Sequence, residues 1–180
     1  MRGITPFGAV PFEVATEPGP PSSTGVAWNA WADCPGQYYS WTCSACATEW
    51  TERSAGAGRS SDIYWNREQV VYAIGYPGNI NPSYGLMDGS GAQLQRVLRE
   101  HAGLETQHDW LDFDEAMDIY SQTFGLMSGA SWYHWVAVRG VQGDSLWLAN
   151  SAPGYKGVYD TMNRQQYQAL GGFSNLWVPQ

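Results

Sequence analysis

The sequence predicts an α+β fold, and three observations carry that reading. Segments with apolar residues at helical spacing fill the first two thirds of the chain. Short runs of β-type residues fill the last third. The two kinds of segment are segregated rather than alternating, which favours helices packed on an antiparallel sheet. The chain is 180 residues long, 43% hydrophobic and 14% charged. It is long enough to bury one sizeable core without a metal or disulfide staple, and too apolar for charge-driven disorder.

Taken in order, residues 1–27 contain Pro6, Pro11, Pro18, Pro20 and Pro21, with Pro35 just beyond. Proline fixes φ and offers no backbone donor, so this stretch is expected to be an N-terminal arm, with the folded domain spanning 28–180. A first helix is expected from Cys43 to Ala55, where Ala45, Cys46, Trp50 and Arg53 fall at helical spacing before Gly56. A second begins at Asn66 as N-cap and ends at Gly75. The stretch YPGNINPSYGLMDGSG is turn chemistry. A third helix, Ala92 to Ala102, puts Leu94, Val97 and Leu98 on one face and stops at Gly103. A fourth opens near Asp112, with Glu115 completing a capping box. YHWVAVRG and SLWLAN then form strands around the turn VQGD. Tyr155–Tyr159 is a further candidate strand, NRQQYQAL a short helix, and FSNLWV the last strand.

Seventeen acidic against nine basic residues give a net charge of -8. An acidic field repels phosphate backbones, so nucleic acid is not an expected partner. No run of about 18 apolar residues occurs, so no membrane span is expected. The opening MRGITPFGAVPFEVATEPGPP lacks the apolar centre of a signal peptide. The chain is therefore expected to be cytoplasmic, or a mature piece of something longer, or exported by another route such as a phage particle.

Three features converge on chemistry. Gln37-x5-Cys43 puts a cysteine at the opening of a helix, where unpaired N–H groups and the helix dipole favour a thiolate. His134 stands at the start of a strand and Asn150 at the end of the next. With Val141-Gln142-Gly143 as the hairpin loop, His134 lies across from Asn150, within reach of an amide oxygen for an imidazole N–H. The same register puts Val136, Val138, Leu146 and Leu148 on one face. Taken singly, Cys43 reads as a small core residue, His134 as structural and Asn150 as a turn former. The order Gln, Cys, His, Asn is what favours catalysis.

That order resembles the papain-like cysteine peptidases, and most of all their bacteriocin-leader-peptidase-like branch. The matching blocks are Q37-YYSWT-C43-SACA, H134-WVAVRG and LWLA-N150-SAPG. The branch often has Cys-Gly-Pro-Ala where this chain has Cys43-Ser44-Ala45-Cys46, and often Asp where this chain has Asn150. The resemblance implies a helical half carrying the nucleophile, packed on an antiparallel sheet carrying His and Asn. It also implies thiol-dependent hydrolysis of a peptide or protein substrate without a cofactor. In that reading Cys43, His134 and Asn150 form the triad, and Gln37 donates to the oxyanion.

Trp41 and Trp135 flank the expected cleft and are the candidate substrate-binding rings. The proline-rich arm and the aromatic enrichment suit a phage-borne or envelope-directed enzyme acting on peptidoglycan peptide. The alternative is a non-enzymatic binding or structural protein on the same fold, such as a virion or tail component.

The same residues admit other uses. Cys34-x8-Cys43-x2-Cys46 with a histidine has the ligands of a Cys₃His zinc site, but Cys43 and Cys46 fall on one expected helix and no second Cys-x2-Cys or His pair follows, so no metal is expected. A Cys34–Cys46 disulfide, which would leave Cys43 as a thiol, stays open. The acidic run from Asp109 to Asp118 lacks calcium-loop spacing and reads as a helix N-terminus. His101 and His108 are expected to be exposed.

Overall fold

A computed structural model of the chain describes residues 42–55, 70–75, 78–81, 85–86, 90–129, 131, 134–151 and 158–179. The expected proline-rich arm, and the boundary at Trp28, lie outside the described residues.

Helix α1 (Cys43–Ser54) comes first, followed by α2, described over residues 70–74. A two-stranded ribbon of β1 (Ile80–Asn81) and β2 (Gly85–Leu86) precedes α3 (Ala92–Ala102). The rest is β3 (Gln107–Leu111), α4 (Phe113–Tyr120), β4 (Gly125–Gly129), β5 (Trp135–Gln142), β6 (Ser145–Asn150), β7 (Val158–Asn163), α5 (Arg164–Ala169) and β8 (Phe173–Trp177). The six long strands form one antiparallel sheet in the order β3-β8-β4-β5-β6-β7.

Helix α3 forms for the reasons its sequence gives. Leu94, Val97 and Leu98 are buried along one stripe. The chain leaves the helix through Gly103, whose left-handed φ of 66° lets its N–H reach back to the Leu98 and Arg99 carbonyls. Helix α4 opens on a reciprocal capping box between Asp112 and Glu115, and α5 on the equivalent pair Asn163 and Gln166.

The sheet separates two apolar clusters. One joins α1, α2 and α3 through Cys43, Ala47, Val70, Ile74, Leu94 and Leu98 to Leu126, Trp135 and Leu176. The other joins α4 and α5 to the opposite set, including Val136, Val138, Leu146, Leu148, Met162 and Phe173. Alternation along β5 and β4 explains the division: Trp135 and Val136, like Leu126 and Met127, go to different clusters. Strands β4 and β8 approach so closely at Gly125 that a Cβ there would lie 2.0 Å from the Leu176 carbonyl oxygen.

Strands β3 and β4 were not expected. QHDWL has Trp110 53% exposed and a polar centre, so it shows no apolar alternation. GLMSG is flanked by glycines and largely buried on both faces, so period-two patterning is absent there as well. The segment read as Tyr155–Tyr159 enters the sheet as β7, which begins at Val158 and runs on to Asn163.

Candidate active site

The site is assembled where β5 begins and β6 ends, and a bulge makes that assembly work. From the turn at Gly143-Asp144, Gln142 pairs with Ser145, Val141 with Leu146 and Gly140 with Trp147. The register then shifts, and Val138 pairs with Leu148 and Ala137 with Ala149. Arg139 is the extra residue, and its guanidinium lies 3.8 Å over the Trp147 ring. Gly140 takes φ 147°, open to glycine and strained for other residues.

Without the bulge, the register at the turn would set Asn150 across from Ala137, on the face away from His134. With it, Asn150 falls across from Val136 and shares a face with His134, two residues further along. The expected register was therefore displaced by two residues, because the turn lies at Gly143-Asp144 and a bulge follows it. An even displacement keeps every side chain on its expected face. Val136, Val138, Leu146 and Leu148 do share one cluster.

His134 and Asn150 are both buried, and His134 Nε2 lies 2.8 Å from Asn150 Oδ1. An amide oxygen only accepts, so this contact assigns the proton to Nε2 and leaves the lone pair on Nδ1. Burial lowers the imidazole pKa from 6.5 to about 4, against a smaller opposing effect of the Asn150 hydrogen bond. At neutral pH the ring is uncharged.

Cys43 is the first residue of α1 and 3% exposed. Burial raises its pKa above the usual thiol value. Hydrogen bonding from the backbone of Trp135, of Ser44 and of Cys43 itself works in the other direction. The involvement of Trp135 ties the sulfur to the residue that follows His134. Helix α1 packs directly on β5, so Cys43 reaches this point from a firmly seated helix. The helix terminus expected to favour a thiolate is outweighed by desolvation, so a neutral thiol stands beside a strand whose histidine is also neutral.

Trp135 is buried in the cluster that contains Cys43. A Cβ built on Gly91 would come within 3.1 Å of its ring, so the absence of a side chain at Gly91 makes room for it. Gln37 and Trp41 lie outside the described residues, as does Cys34, which both the zinc and the disulfide readings require. Cys43 and Cys46 are buried thiols. Among the described residues, no group of three or more His, Cys, Asp or Glu side chains is placed to hold a metal ion.

Two expectations of exposure change. His101 Nδ1 lies 3.6 Å from Glu52 on α1, joining α3 to that helix. His108 Nε2 lies 2.8 Å from Ser174 Oγ on β8. The sequence reading also passed over Asp160. It sits on β7, is 9% exposed, and lies on the face of the sheet that carries Asn150. Burial raises its carboxyl pKa from 3.8 to about 6, while the Thr161 N–H and Asn150 oppose that rise.

No family model matches the sequence, and no curated protein matches it. Solved structures do resemble it. A double-glycine-motif protease from an AMS/PCAT transporter, solved in complex with its leader peptide, superposes with a TM-score of 0.57 at 13% identity, over 81% of this chain and 89% of that one. The peptidase domain of Streptococcus ComA, a bifunctional ABC transporter of a quorum-sensing pathway, gives 0.56 at 16% identity, over 82% and 98%. A C39-like peptidase from Bacillus anthracis gives 0.53 at 12% identity, over 88% and 98%. At these identities the likeness is one of architecture. The chain has the papain-like α+β fold of the C39 peptidase domains, with a cysteine opening a helix that packs on an antiparallel sheet.

Proposed function

We propose that the chain hydrolyses peptide or amide bonds, with Cys43 as nucleophile, His134 as proton acceptor and donor, and Asn150 as the group that orients His134. The observation that carries this reading is the buried 2.8 Å contact of His134 Nε2 with Asn150 Oδ1, on the strand whose next residue hydrogen-bonds to Cys43. The shared fold with C39 peptidase domains supports it.

The chemistry follows from neutral partners. As Cys43 sulfur attacks the carbonyl carbon, its proton passes to Nδ1 of His134. The developing oxyanion takes hydrogen bonds from the Cys43 backbone N–H and from the side-chain NH₂ of Gln37; losing one such donor typically costs about 10²–10³ in rate. The C–N bond breaks as the imidazolium returns the proton to the amine, leaving a thioester. Water then attacks the thioester carbonyl, giving its proton to His134. The thiol is restored and the acid product released. Trp135 forms the apolar wall behind the sulfur, and Trp41, two residues before Cys43 in sequence, is the further candidate for holding the substrate.

A neighbour of the same fold was solved with a leader peptide. Ribosomally made peptides with a glycine pair are therefore the first substrate class to assay. Peptidoglycan stem peptides follow, as the substrate of a phage-borne or envelope-directed enzyme. The test is cleavage of both classes by the wild-type chain and by Cys43→Ala, followed by mass spectrometry. Cleavage that depends on Cys43 supports hydrolysis. Binding of peptide without cleavage by the wild-type chain would favour the non-enzymatic alternative.

A further inference from the structure

The sheet brings to this site a carboxylate that the reaction does not use. Strand β7 pairs with β6 so that Asp160 lies across from Leu148 and Val158 across from Asn150. Asp160 therefore shares a face with Leu148 and Asn150, as the diagonal neighbour of Asn150, a spacing of about 7–8 Å that polar side chains can bridge. Its side chain is buried, and the Asn150 amide beside it favours its charged form. Asp160 Oδ1 also accepts the Thr161 N–H at 2.8 Å, which holds the carboxylate in place.

We propose that Asp160 is a positioning residue: its carboxylate accepts from the Asn150 NH₂ and so turns the Asn150 oxygen, rather than its nitrogen, toward His134. An asparagine amide is almost the same shape either way round, with a donor at one end and an acceptor at the other. Turned over, it would present NH₂ to His134 Nε2. That nitrogen would then have to accept, the ring proton would move to Nδ1, and no lone pair would face the thiol. A carboxylate only accepts, so beside Asn150 it selects one of the two orientations. An aspartate at position 150 would have no wrong orientation and no need of the partner. The catalytic consequence rests on the proposed triad; the orientation of Asn150 does not.

The experiment is ¹⁵N NMR of histidine-labelled full-length chain, with His134 assigned by comparison with His134→Gln. In the wild type, His134 is expected as the Nε2–H tautomer. In Asp160→Ala it should shift toward Nδ1–H, and in Asp160→Ala combined with Asn150→Asp the Nε2–H form should return. Circular dichroism checks folding. If the alanine variant unfolds, Asp160→Leu, which suits a buried strand and accepts no hydrogen bond, takes its place.

The alkylation rate of Cys43 by iodoacetamide is read in parallel. It should fall about tenfold in the single variant and recover in the double. An unchanged tautomer in the single variant, or the same loss in both Asn150 and Asn150→Asp backgrounds, would overturn the assignment. If His134→Gln leaves alkylation unaltered, the proposed triad fails, while the tautomer populations still decide the role of Asp160.

Discussion

Asp160→Asn tests the electrostatics of the site through stability alone. The folded chain holds the Asp160 carboxyl at a pKa of about 6 against 3.8 for the unconstrained group, chiefly through burial. A rise of about two units corresponds to about 3 kcal/mol at roughly 1.4 kcal/mol per unit. Because the folded pKa is the higher one, the folded state binds the proton more tightly. Above pH 6 the charge opposes folding, and that opposition disappears as pH falls toward 4. Asparagine keeps the shape and never carries the charge. The stability of Asp160→Asn minus that of the wild type should therefore fall by about 3 kcal/mol between pH 7.5 and pH 4. Urea unfolding followed by circular dichroism measures it. Hydrogen bonds lost in the variant shift the difference by a constant, and His134 titrates in both proteins, so the change with pH isolates the carboxyl. A difference that does not vary with pH would refute the burial argument.

Three other outcomes are expected. His134 is held neutral, with its pKa lowered to about 4; as pH falls from 6.5 to 4 the unfolded chain takes up a proton that the folded chain refuses. His134→Gln should thus lose about 3 kcal/mol less stability than wild type across that range, read from the same unfolding curves. Gly140→Val forces a β-branched residue to φ 147° at the bulge, and calorimetry should show a loss of roughly 1–3 kcal/mol together with weaker peptide cleavage as the His134–Asn150 alignment slips. Asn150→Ala should lower kcat/KM by at least about tenfold, or ~1.4 kcal/mol, while Asn150→Asp keeps substantial activity, as peptide-cleavage kinetics would show.

What could be read from the sequence was local. Helix α3 shows its buried stripe and its glycine stop in eleven residues, and Asp112 with Glu115 announces α4. His134 and Asn150 could be paired because two strands joined by a short turn leave little freedom, and the displacement in register was even. The bulge at Arg139 could not be read, since it depends on Arg139 stacking on Trp147 and on the φ of Gly140. Strands β3 and β4 were hidden because one presents Trp110 to solvent and the other is buried on both faces between β5 and β8. Asp160 was invisible for a different reason: a lone acid in VYDTMN acquires meaning only once β7 is paired with β6. The pKa values of Cys43 and His134 were likewise out of reach, because burial sets them and helix position alone does not.

The most direct test of the central claim is peptide cleavage by wild type, Cys43→Ala and Cys46→Ala, prepared side by side and checked for folding. Cys43 and Cys46 are both buried on α1, one turn apart, and Cys43 meets the backbone of the strand that follows His134. The account predicts that wild type and Cys46→Ala cleave at similar rates and that Cys43→Ala does not cleave. Cleavage by folded Cys43→Ala at the wild-type rate, or loss of cleavage in folded Cys46→Ala alone, would contradict it.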